Sequence, residues 1–235
     1  MIMYYPMYYM FDPTYVLILI GVVISLAASA KLRGTYQRYA GVRSRCGMTG
    51  EEAARQLLRS QGIYDVTIRR VRGNLTDHYD PRTKTVNLSD SVYGSTSIAA
   101  IGVAAHECGH AMQDAQGYAP LRFRSALVPA ANFGAQLSWP LIIIGLLLGG
   151  SSLVSLGILL FSLAVLFQLV TLPVEYNASH RAVTLLDSIG ILQGQEVGQT
   201  RSVLNAAALT YVAAAAASIL QLLRLLILFG NRRDD

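Results

Sequence analysis

The sequence predicts an α-helical integral membrane protein with about four transmembrane helices and a small α+β catalytic segment that carries a short antiparallel sheet. Three observations lead there. Hydrophobic residues make up 53% of the 235-residue chain and charged residues only 14%, and the excess lies in long apolar runs rather than in an evenly apolar core. Of the 19 Lys and Arg residues, 14 fall between positions 31 and 124, so the polar part of the chain is one basic segment bounded by apolar ones. Within that segment stands His106-Glu107-Cys108-Gly109-His110, two histidines one helical turn apart with a carboxylate between them.

The first span is expected over 14–30. Its apolar run is near the lower length limit for crossing a hydrocarbon core of about 30 Å, and the apolar residues ahead of it extend it. A cleaved signal peptide carries basic residues before its apolar stretch, whereas Lys31 and Arg33 follow this one, so the span is expected to stay. The Tyr/Met-rich start, 1–11, suits an outer membrane interface, where aromatic rings tolerate both water and hydrocarbon.

Residues 31–125 read as a cytoplasmic segment holding the sheet and the histidine-bearing helix. Thr49 is placed to cap a helix through 53–60, with Glu51 and Glu52 at its positive end and Gly62 ending it. Val66-Thr67-Ile68 with Val71 reads as one strand, and the alternating stretch 84–89 after the Asp80-Pro81-Arg82 turn as another. The next helix is expected from Ser95 or Thr96 to Gln116, with Ile98, Ile101, Val103 and Ala104 as packing surface and Gly102 and Gly109 allowing close approach.

Second and third spans are expected at 127–148 and 153–174, around a tight turn at Gly149-Gly150-Ser151-Ser152. Residues 175–202 form a second part of the active segment, and 203–229 a fourth span whose small residues permit close helix packing and whose Arg224 is placed to snorkel. The basic excess puts 31–125 in the cytoplasm, and the hairpin returns Glu175 to that side. Arg232 and Arg233, beside Asp234 and Asp235, run against this orientation.

The net charge of +5 is better explained by anionic lipid than by nucleic acid, because the basic residues flank spans and no nucleic-acid module accompanies them. Two cysteines, Cys46 and Cys108, do not make a disulfide framework. Glycosylation triplets at Asn74, Asn87 and Asn177 are incidental in an inward-facing segment. The chain carries no phosphate-cradling glycine loop and no internal repeat.

Two histidines four apart on a helix face the same way, so His106 and His110 can share one Zn²⁺. Glu175, directly after the third span, is the leading third ligand, with Asp187, Glu196 and His180 as competitors. Three protein ligands leave room for water, whose pKa the metal lowers, and Glu107 is the base that takes its proton. His78, Tyr79, His180 and Arg181 are candidate donors to the carbonyl oxygen, Arg181 the favoured one. Strand 84–89 is either an exposed edge that takes a substrate strand or internally paired. Cys108 points away from the histidine face and is expected to pack.

Together with the apolar hairpin and Val174-Glu175-Tyr176-Asn177-Ala178-Ser179-His180-Arg181-Ala182, the histidine motif resembles the YugP-type neutral zinc metallopeptidases. The resemblance covers nearly the whole chain, including Tyr79-Asp80-Pro81-Arg82 and Val86-Asn87-Leu88. More distantly, the chain is similar to the membrane gluzincins HtpX and the CAAX prenyl protease, which place a glutamate ligand on a later helix. The resemblance implies a single membrane-coupled, zincin-like fold over 1–235 and a zinc endopeptidase of the His-Glu-x-x-His plus Glu type. It would sit in the cell membrane, with the bilayer and a peptide or membrane-protein substrate as partners and no nucleic acid. Ser179 stands where the gluzincin pattern Glu-x-x-Ala-Asp has aspartate, which implies a different setting for one histidine. The competing expectation is a metal-dependent scaffold or chaperone that keeps the geometry without turnover.

Overall fold

The computed structural model describes residues 12–230; the expected interfacial segment 1–11 and the C-terminal Arg232, Arg233, Asp234 and Asp235 lie outside the described residues. Seven helices and three strands follow in the order α1 (Tyr15–Ala40), α2 (Gly50–Ser60), β1 (Thr67–Val71), β2 (His78–Asp80), β3 (Thr85–Ser89), α3 (Asp90–Tyr93), α4 (Ile98–Ala115), α5 (Ala119–Leu148), α6 (Ser151–Ser188) and α7 (Gln195–Phe229). Four of them, α1, α5, α6 and α7, are long and apolar enough to cross a membrane. They also outrun the apolar stretches read from the sequence. The 38 residues of α6 continue from the third apolar stretch through Glu175 without a break, and at 1.5 Å per residue they extend about 57 Å against a core of about 30 Å.

The chain divides into two compact units. The apolar one comprises residues up to 28, 126–169 and 211 onward. Here α5 turns into α6 at Gly149, whose φ of +69° is one that residues with a Cβ rarely adopt. Ile142, Val154, Ile158 and Leu225 bury together, while Leu19, Val23, Leu26, Leu147 and Ile227 stay outward, the arrangement a lipid-facing surface calls for. Arg224 Nη2 lies 3.4 Å from Asp12 Oδ2 and its guanidinium 4.3 Å from the Tyr15 ring centroid. The arginine thus meets a carboxylate just ahead of α1 and an aromatic face in its first turn.

The second unit, Ser29–Ser125 with Val170–Thr210, holds the polar elements. Thr49 caps α2 through a reciprocal capping box with Glu52, and Ser97 caps α4 by accepting from Ala100 N–H, which sets the start of α4 slightly later than the expected Ser95 or Thr96. Helix α4 is the centre of this unit, with residues on every side of it buried from Ile98 to Gln113. Leu57 of α2, Leu88 of β3, Ile101 of α4, and Leu186 and Leu192 beyond them share its core.

The sheet is mixed, not purely antiparallel. Its order is β1-β3-β2, with Thr67 opposite Thr85 in a parallel pair and Tyr79 opposite Val86 in an antiparallel one. The chain reverses twice, into β2 and out of it, so β3 regains the direction of β1 and inserts between the other two. The 84–89 stretch is therefore paired on both sides rather than an open edge, and the edges belong to β1 and β2. The three-residue β2 was too short to show as a strand in the sequence pattern.

Candidate metal centre

Helix α4 carries His106 and His110 toward the same neighbour, α6. The two backbones approach closely at Gly109, where even a Cβ would stand 2.5 Å from the Ala178 carbonyl oxygen. That approach, made possible by glycine, brings Glu175 within reach, because it lies on the inward face of α6 with Ala178, Ser179 and Ala182. Glu175 Oε2 stands 3.2 Å from His106 Nε2 and 3.6 Å from His110 Nε2. The potential ligand atoms of the three residues all lie within 4.8 Å of one another. Glu107 is 7% exposed and Glu175 2%.

The far side of each imidazole is also occupied. Gln113 donates through Nε2 to Val174 O at 2.8 Å and to Asn177 Oδ1 at 3.0 Å, so its Oε1 is left as the acceptor 3.0 Å from His110 Nδ1. His110 must then donate through Nδ1, which leaves Nε2 as the ring nitrogen turned to Glu175. His106 Nδ1 meets Ser179 Oγ at 3.1 Å. Ser179, the departure from the Glu-x-x-Ala-Asp pattern, is thus itself placed to orient this ring. Burial opposes protonation of His110, but the Glu175 hydrogen bond and the charges of Glu107 and Glu175 outweigh it and raise its pKa.

These residues fit a zinc ion. Around tetrahedral zinc with ligand bonds of about 2.0–2.1 Å, neighbouring ligand atoms stand about 3.3–3.4 Å apart; the 3.2 and 3.6 Å separations bracket that value. Two imidazole Nε2 atoms and one carboxylate oxygen converge, the donor set zinc takes.

The competing third ligands are elsewhere. Glu196 is buried but accepts from Arg45 N–H at 2.8 Å, and Asp187 and His180 are exposed on the outward side of α6. Of the candidate carbonyl donors, Tyr79 gives its hydroxyl to Asp114 Oδ2 at 2.8 Å, and burial together with that carboxylate holds its phenol well above the usual range. His78 bonds Thr76 O and Asn87. Arg181 donates through Nε to Asn177 Oδ1 at 2.7 Å and through Nη1 to Gln116 Oε1, with Tyr118 beneath it at 5.8 Å. Cys108 packs, fully buried with Sγ 3.6 Å from Ala54 O, and burial pushes its thiol pKa up.

Three residues escaped sequence reasoning. Gln113 had a local signal, lying one helical turn beyond His110; Asn177 had only its nearness to Glu175. Arg124, read as a flanking charge, places Nη1 3.7 Å from Glu175 Oε1. Its one signal is that the hairpin leaving after Arg124 returns at Glu175.

Residues 14–230 match the family model described as "Putative neutral zinc metallopeptidase". The "Putative membrane protease YugP" of Bacillus subtilis (strain 168) is 47% identical over 212 residues, 90% of this chain and 94% of that protein. No solved structure matches the chain. The histidine-glutamate cluster, the four apolar helices and a family match over nearly the full length agree, and the chain belongs to this family of neutral zinc metallopeptidases.

Proposed function

We propose that this protein is a zinc-dependent membrane endopeptidase of the His-Glu-x-x-His plus Glu type. The observation that carries the reading is the convergence of Glu175 on two histidines whose Nε2 atoms face it. His106, His110 and Glu175 would hold the ion, which when bound lowers the pKa of water and polarises a scissile carbonyl. Glu107, next to His106 and nearly buried, accepts the proton of the attacking water and returns it to the leaving nitrogen. Ser179 and Gln113 keep the two rings turned so that Nε2 is presented to the site.

Arg181 is the donor to the carbonyl oxygen through Nη2, the guanidinium nitrogen that Asn177 and Gln116 leave over. Arg181→Met should lower kcat with little change in KM or zinc content, and an unchanged kcat removes this assignment. The substrate is a peptide or membrane protein, and a substrate strand that extends the sheet would add to β1 or β2, since β3 is paired on both sides.

The site works on the cytoplasmic side, a reading supported by the basic residues between positions 31 and 124. Membrane vesicles test the activity and its side together. Inverted vesicles should cleave an added unstructured peptide and right-side-out vesicles should not, with cleavage stopped by a chelator and restored by Zn²⁺. Cleavage by right-side-out vesicles alone would reverse the orientation. If zinc-loaded protein in detergent cleaves none of a diverse peptide set, the endopeptidase reading fails and the scaffold reading takes its place.

A further inference from the structure

Glu175 presents its two oxygens to two different kinds of partner. Oε2 faces the imidazoles, at 3.2 Å from His106 Nε2 and 3.6 Å from His110 Nε2. Oε1 faces Arg124 Nη1 at 3.7 Å, an ion-pair rather than a hydrogen-bond separation. The arginine is built into this position. On α5, Leu121 is buried and Arg124, one turn further on, shares its face, while Arg122 and Phe123 between them are exposed. The Arg124 side chain is 29% exposed, its Nε is buried without an acceptor, and its guanidinium forms an ion pair with Glu175.

A carboxylate can bind zinc through one oxygen or two. A three-ligand site with room for water needs the first mode, because a second carboxylate oxygen would take the position the water requires. We propose that Arg124 is a positioning residue of the metal centre: its charge holds Oε1 of Glu175 aside, so that Oε2 alone is turned to the pair of histidines. This rests on His106, His110 and Glu175 being the zinc ligands. It adds a residue that is neither one of the three ligands nor the base Glu107.

The test uses full-length protein in detergent and Zn²⁺ itself as the probe, so it does not depend on a substrate. Zinc affinity is measured by competition with a chromogenic chelator for the parent, Arg124→Gln and Arg124→Lys, after membrane insertion and monodispersity have been matched. Loss of a group that orients a metal ligand commonly weakens binding by about 10- to 100-fold, and Arg124→Gln should fall in that range. Arg124→Lys, which keeps the charge, should recover most of the loss. Cobalt substitution supplies a second readout: the d–d spectrum of Arg124→Gln should shift relative to the parent as Oε1 becomes free to join the metal, and that of Arg124→Lys should stay close to it. Parent-like zinc affinity in Arg124→Gln overturns the proposal, and so does an equal loss in both variants, which would mark packing rather than charge. A parent protein that binds no zinc removes the ligand assignment itself, an outcome distinct from tight parental binding that is indifferent to Arg124.

Discussion

Glu107→Gln lowers kcat/KM for peptide cleavage by roughly 100- to 10,000-fold, the range that removal of a general acid/base commonly produces, while zinc content and membrane insertion stay at parental levels. Glutamine matches glutamate in size and reach but cannot take up a proton at neutral pH. The position is nearly buried on α4, so a same-size replacement preserves the packing that seats His106 and His110. Glu107 is also outside the group of three side chains that converge on a common point, which is why metal binding and turnover separate in this variant. Zinc analysis, insertion and kcat/KM are to be measured on one preparation. Parental turnover by zinc-loaded Glu107→Gln protein would defeat the assignment of the base, whatever the ligands prove to be.

His110→Ala reduces zinc from about one ion per chain to trace, a larger effect than the 10- to 100-fold expected from losing an orienting neighbour. The substitution deletes the Nε2 that faces Glu175 and leaves Gln113 Oε1 with no ring N–H to accept, although Gln113 stays tied to Val174 and Asn177. The site therefore loses a ligand while the link between α4 and α6 persists. His106→Ala is expected to do the same, through the Nε2 that lies 3.2 Å from Glu175. Because an ion bound only by the folded state stabilises it, added zinc should raise the Tm of the parent and not of either variant. Zinc retained with unchanged coordination in both would reject the site.

The parts of this protein that are local in the chain were legible without coordinates. The histidine pair needs only the period of an α-helix, and the Thr49 cap only the proximity of Glu52. The apolar stretches declare themselves by composition, although the helices containing them run on into the polar unit, where packing on α4 continues what hydropathy no longer signals. Glu175 was half legible: the returning hairpin pointed to it, but Asp187 and His180 could be set aside only once the inward face of α6 was known, and Glu196 only once it was seen to accept from Arg45 N–H. Ser179 looked like a departure until its hydroxyl was seen 3.1 Å from His106.

What the sequence by itself determined is helices α2 and α4, strands β1 and β3, the two histidines with their intervening glutamate, and the apolar character of four helices, because each is written in a contiguous stretch of the chain. Tertiary structure alone decided three things: that β3 is the inner strand, that Gln113 and Ser179 turn the imidazoles, and that Arg124 and the histidines divide the two oxygens of Glu175. These depend on where separate elements meet, and that is set by packing, such as the approach of Gly109 to Ala178, which no periodicity along the chain encodes.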